Sequence, residues 1–198
     1  MIRLRPLPYQ PLLAQRPLQQ IDLLVIHCTE LPDLATAREY GERLLYPVSQ
    51  DQQNAVDDDP IDQRGTGNSG HYYIDRDGST EQWVDHERIA HHVRGFNPRS
   101  IGIELVNRGR YPDWYHSERQ QMTETYPGQQ ISALLWLINQ LQQSLPALRW
   151  IAAHADLDLE FIAATNDATI QVHSKLDPGP LFPWPLVMSR CQLQRLKP

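Results

Sequence analysis

The run Ile21-Asp22-Leu23-Leu24-Val25-Ile26-His27-Cys28 constrains this chain more than any other. Side chains alternate between the two faces of a strand, and here both faces are mainly apolar. Such a strand has to be covered on both sides, as at the centre of an α/β sheet. It ends on His27 and the polar turn Thr29-Glu30. A short apolar strand from Arg149 to Ala153 also ends on a histidine, His154. Another, Ser100 to Val106, turns Ile101, Ile103 and Leu105 one way and Gly102 and Glu104 the other.

The segments between these strands complete an α/β pattern. Asp33 is an N-cap for a helix running to about Leu45. His71 to Ile74 and Thr80 to Val84 read as a β-hairpin around Asp75-Arg76-Asp77-Gly78. Ile131, Leu134, Leu135, Ile138, Leu141 and Leu145 recur at helical spacing, which predicts a helix over 128–145 that Pro146 ends. A helical turn is predicted near Leu159 to Ala164, and a last helix from Pro185 to Leu196. Residues 46–69, 107–128 and 155–174 are long polar connections, and loops of that length are functional or disordered. The fold class predicted is α/β: a single domain, with a central mainly mixed sheet flanked by helices. Residues 1–20 form an extended lead-in, and 21–198 form the domain.

Composition narrows the function classes. With 198 residues, 40% hydrophobic and 21% charged, the chain can bury a sizeable core. A net charge of -6 argues against a general nucleic-acid binder. No apolar run is long enough to span a bilayer. The N-terminus lacks the apolar h-region of a signal peptide. The localisation expected is therefore cytoplasmic, with a periplasmic or exported form left open. Two cysteines, Cys28 and Cys191, make no disulfide framework.

The chemistry collects at strand ends. In open α/β sheets ligands bind beyond the carboxyl ends of the strands. In Lys175-Leu176-Asp177-Pro178-Gly179-Pro180 the prolines hold the preceding residues extended. Residues 175 and 177 then share one face, so an ammonium and a carboxylate are aimed together. A lone histidine at a strand end is more often a structural residue than a ligand. Two of them, together with Asp177, make the natural metal triad. Two imidazoles and a carboxylate with one open position suit catalytic zinc, though other divalent metals remain compatible.

Val25-Ile26-His27, Ser69-Gly70-His71-Tyr72-Tyr73-Ile74, Asp77-Gly78, Ala90-His91-His92, Ser100-Ile101-Gly102-Ile103-Glu104-Leu105, His154 and Lys175–Pro180 occur in this order around the Ile131–Leu145 helix. In these pieces the chain resembles the zinc-dependent N-acetylmuramoyl-L-alanine amidases of the AmpD type, which are related to peptidoglycan recognition proteins. The resemblance covers about residues 21 to 185. It implies a peptidoglycan-recognition-protein-like fold, with His27, His154 and Asp177 as ligands of one zinc ion and Glu104 and Lys175 as the catalytic pair. It implies hydrolysis of the amide between N-acetylmuramic acid and L-alanine, with peptidoglycan or muropeptide fragments as partners. A monomer is expected, although the sequence does not show the oligomeric state. His71, Tyr72, His92 and Asn107 are candidate substrate contacts, and hairpin packing is the competing reading of Tyr72. His91 stands where many relatives have tryptophan. Two other readings stay open: a non-catalytic peptidoglycan-binding module, and a zinc peptidase cutting within the stem peptide.

Overall fold

A computed structural model describes residues 1–46 and 65–197. Most of the polar 46–69 connection, including Asp57-Asp58-Asp59, lies outside the described residues. In chain order the strands are β1 (Ile2–Leu4), β2 (Leu23–Cys28), β3 (Tyr72–Ile74), β4 (Thr80–Gln82), β5 (Ser100–Leu105), β6 (Trp150–Ala153), β7 (Phe161–Ala163), β8 (Gln171–His173) and β9 (Gln194–Arg195). The helices are α1 (Leu34–Gly41), α2 (Gly128–Ser144), α3 (His154–Leu157) and α4 (Trp184–Arg190).

Among the described residues seven strands form one mixed sheet, in the order β1-β4-β3-β5-β2-β6-β9. The β3–β4 hairpin supplies its antiparallel pair, and the other neighbours run parallel. All six residues of β2 are buried, as its two apolar faces demand. Leu24, Ile26, Ile101, Ile103, Leu105 and Ile151 face α2, where Ile131, Leu134, Ile138 and Leu141 form the main core with them. On the opposite face Leu23, Val25 and Ala152 pack with Val93. Beside them lies a second cluster of Leu7, Tyr9, Leu13, Tyr73 and Trp83.

The N-terminal twenty residues are built into this architecture. β1 pairs with β4, and Leu7, Tyr9 and Leu13 are buried. Arg16 threads inward to donate to the carbonyls of His86, Asn97, Pro98 and Ser100.

Three elements differ from the sequence expectation. Asp33 caps α1 as expected, accepting from Thr36 N at 2.7 Å, but the helix stops at Gly41. Beyond it the backbone N–H groups of Leu45 and Tyr46 turn to Thr66 O, which takes that stretch out of helical pairing. The turn expected near 159–164 is instead strand β7, paired antiparallel with β8. Asp167 closes this hairpin by accepting from Thr169 N and Oγ1, the local side-chain bonding typical of Asp in turns. The last helix ends at Arg190 rather than Leu196. The chain then extends, buries Leu193 and adds β9 alongside β6. No helix among the described residues is long and apolar enough to cross a membrane.

Candidate active site

Strand register assembles one row of polar side chains across the sheet. His27 pairs with Glu104 between β2 and β5, and Glu104 pairs with Tyr73 between β5 and β3. On the other side Ile26 pairs with Ala153, so His154, the next residue, stands level with His27. Neighbours in register point to the same face, here the face opposite α2. Two glycines keep that face open. A Cβ on Gly102 would lie 2.7 Å from the His92 ring, and one on Gly70 would lie 2.9 Å from Glu104 Cγ.

The Lys175–Pro180 turn brings the third donor to this row. Ala155 N donates to Asp177 O at 3.0 Å, and the Tyr126 hydroxyl donates to Pro178 O at 2.6 Å. The carboxylate is thereby held over the start of α3. His27 Nδ1, His154 Nδ1 and Asp177 Oδ2 converge. His27 Nδ1 lies 3.0 Å from each of the others, and His154 Nδ1 lies 3.2 Å from Asp177 Oδ2. All three residues are buried. Glu104 Oε1 lies 3.9 Å from His27 Nδ1. Glu104 Oε2 is buried with no hydrogen-bond partner among the described residues, a costly state for a carboxylate unless a ligand satisfies it.

The electrostatics reflect crowding in a dry place. Burial, helped by the charge on His154, pushes the His27 imidazole down to about 4. Burial works against the charge on Asp177, yet His154 and His27 hold its carboxyl well below the usual carboxylate range. Burial, reinforced by Asp177, pushes Glu104 up to about 8, and the Lys175 cation acts in the opposite direction.

A cleft of about 650 Å³ opens over this cluster. His27, His154, Asp177, Glu104, Lys175 and His92 line it, and Tyr40, Trp114 and Tyr115 form an aromatic wall. Of the residues singled out as substrate contacts, His92 alone reaches the cleft. Its Nδ1 lies 3.0 Å from His27 Nε2 and its Nε2 lies 3.2 Å from Ser100 Oγ. His71 is fully buried, with Nδ1 accepting from Gly102 N and Nε2 against Arg88 O and Arg16. Tyr72 packs into the α2 core. Asn107 is buried too, its side chain donating to Glu124 O and accepting from Gly109 N. The aromatic wall was not picked out by sequence reasoning. Its signal was the 107–128 connection itself, too long for a plain link and carrying Trp114-Tyr115.

Comparison with solved structures gives the same fold at low identity. An N-acetylmuramoyl-L-alanine amidase LysC from Clostridium intestinale URNW matches with a TM-score of 0.62 at 17% identity, covering 98% of this chain and 99% of that one. The amidase AmiD from E. coli, in complex with anhydro-N-acetylmuramic acid-L-Ala-D-gamma-Glu-L-Lys, matches with a TM-score of 0.59 at 24% identity, over 89% of this chain and 60% of that one. AmpDH3 from Pseudomonas aeruginosa matches with a TM-score of 0.59 at 22% identity, over 89% and 61%. No curated protein matches. The family model Amidase_2, N-acetylmuramoyl-L-alanine amidase, matches residues 17–180. That span contains every donor of the cluster, and the chain belongs to the family this model describes, N-acetylmuramoyl-L-alanine amidase (Amidase_2).

Proposed function

We propose that this chain is a zinc-dependent hydrolase cutting the amide between the lactyl group of N-acetylmuramic acid and L-alanine, in peptidoglycan or its muropeptide fragments. The convergence of three buried donors beside a partnerless carboxylate carries this reading. Ligands about 2.0–2.1 Å from a tetrahedral zinc stand about 3.3 Å from one another. The three donor atoms are 3.0, 3.0 and 3.2 Å apart, so the set fits. His27 and His154 would hold the ion through Nδ1, and Asp177 through Oδ2. When bound, zinc supplies Lewis-acid polarisation of a carbonyl and lets water ionise near neutral pH.

The protein's own groups do the rest. Glu104 takes the proton of the attacking water and delivers it to the leaving amine as the C–N bond breaks. The products are a lactyl carboxylate and a peptide with a free L-alanine amine. Positive charge nearby, from Lys175 and from a bound cation, favours the carboxylate form that Glu104 needs at the start. Lys175 offers its ammonium to the oxyanion that develops on the amide oxygen. His92 holds His27 in one tautomer. With His27 Nδ1 given to the metal, Nε2–H donates to His92 Nδ1, and His92 Nε2–H donates to Ser100 Oγ. The aromatic wall bounds the cleft beside the scissile bond and limits its water.

Mass spectrometry of digests of intact sacculi and of soluble muropeptides, with and without a chelator, tests the reading. It predicts an intact stem peptide with a free L-alanine amine and peptide-free glycan, both lost with chelator. A stem peptide cut internally would mean a peptidase. No product would mean a binding module. Product that survives complete metal removal would rule out the zinc-dependent route.

A further inference from the structure

Arg110 is 3% exposed and lies outside the donor cluster, yet every donor of its guanidinium is used. An arginine side chain has five N–H groups. Nε donates to Glu30 Oε1 at 2.7 Å. Nη2 donates to Glu30 Oε2 at 2.7 Å and to Ser174 O at 3.1 Å. Nη1 donates to His173 O and to Gln120 Oε1, both at 3.0 Å. The backbone N–H of Arg110 adds a bond to Glu30 Oε1 at 3.1 Å.

Apart from Gln120 Oε1, the acceptors come from two segments that carry the site. Glu30 leaves β2 three residues after His27. Residues 173 and 174 directly precede Lys175. Glu30 also has a backbone φ of +49°, a left-handed conformation that costs energy for a residue with a Cβ and is kept where the surroundings enforce it. Trp114 Nε1 secures it from the other side, donating to Glu30 O at 3.0 Å. The ion pair is buried, with side-chain exposures of 1% and 11%. Buried pairs are a poor source of net stability compared with apolar packing, whereas a bidentate fork is a strong source of geometric precision.

Lys175 is the residue that lacks precision of its own. Among the described residues its ammonium makes no hydrogen bond or ion pair. A lysine is a flexible four-carbon stem, so the direction it takes is set by where its backbone sits. We infer that Arg110 is a positioning residue for Lys175: by clamping the carbonyls of residues 173 and 174 to the end of β2, it fixes the approach of the Lys175 ammonium to the donor cluster. This rests on the role given to Lys175 under Proposed function.

Two experiments test it together. The chain has two lysines, Lys175 and Lys197, so lysine-labelled protein gives two side-chain NMR signals. Arg110→Gln shifts the Lys175 signal and leaves Lys197 in place. A Lys175 signal that stays put overturns the inference, whatever the activity. In muropeptide turnover, Arg110→Gln lowers kcat about 10- to 100-fold, the order expected for misplacement by an ångström, with KM little changed. In a Lys175→Met background the same substitution costs less than about 2-fold, because the group it aims is gone. Equal losses in both backgrounds, or no loss in the first, overturn it. Glu30→Gln breaks the same fork from the other side and gives the same pattern if Arg110→Gln does not fold. If the wild-type chain yields no lactyl–alanine cleavage, the reading of the activity fails, and the lysine spectrum still decides the positioning.

Discussion

His27 uses both ring nitrogens, and this makes its neighbours as important as its ligand role. Nδ1 turns to His154 and Asp177, and Nε2 turns to His92. Losing an outer partner of a metal-binding histidine typically costs 10- to 100-fold in metal affinity or activity. His92→Phe is therefore expected to weaken zinc binding about 10- to 100-fold in a chelator competition. His92→Asn, whose Oδ1 can accept in place of Nδ1, restores most of it; equal losses in the two variants would refute the hydrogen-bond role. Glu104→Ala is expected to keep zinc and lose turnover about 10²- to 10⁴-fold, the range of a general acid–base residue. His27→Ala loses both, as metal content and activity measured on the same samples will show. His27 and His154 stood out in the sequence as histidines ending apolar strands, Glu104 as a lone carboxylate within one, and Lys175 and Asp177 as charges in a proline-locked turn; the grouping of all five came from the family resemblance. The bond from His27 to His92 was not, since it depends on how a loop 65 residues away folds over the sheet.

At the scale of elements, the sheet makes the site through register and through absent side chains. Gly102 pairs with Val25 and lies beneath the His92 ring. Gly102→Ala puts a methyl 2.7 Å from that ring, so His92 must move. The variant is expected to lose zinc affinity as His92→Phe does while the sheet remains folded. Unchanged affinity would mean that the loop shifts without disturbing His27. From the other face, Leu134 is fully buried between α2 and the sheet. Leu134→Ala is expected to cost about 2–5 kcal/mol in chemical denaturation. The elements legible in advance were those with a strong period or a cap: β2, β5, the β3–β4 hairpin, α2 and the start of α1. The β7–β8 hairpin and β9 were not: β7 and β8 are as short as β3 and β4 but lack the Asp77-Gly78 turn that marks the earlier hairpin, and the two-residue β9 exists by pairing with the distant β6.

For the whole molecule, a fully buried imidazole, His71, and a half-buried one, His86, are held neutral. Burial, joined by the nearby Arg16 cation, holds His71 well below its usual value, and the same causes push His86 down to about 4. In the unfolded chain both take a proton near 6.5. Below that pH the unfolded state binds more protons than the folded one, so stability falls as pH drops from about 6.5 toward the folded values. Each proton contributes up to about 1.4 kcal/mol per pH unit. Glu104, pushed up to about 8, acts in the opposite sense, since there the folded state holds the extra proton, so the histidine contribution is read as a difference between variants. In urea denaturation of metal-free protein at pH 7.5, 6 and 5, His86→Gln should lose less stability than the wild type between pH 6 and 5; the same loss in both would contradict the neutral state of His86. The twenty N-terminal residues belong to the same interior through Arg16, a link no local pattern announced. The most direct test of the account is the zinc content of purified protein after dialysis against metal-free buffer. One zinc per chain is predicted for the wild type, with essentially none in His27→Ala, His154→Ala and Asp177→Ala. One full equivalent retained in all three variants would contradict the shared centre.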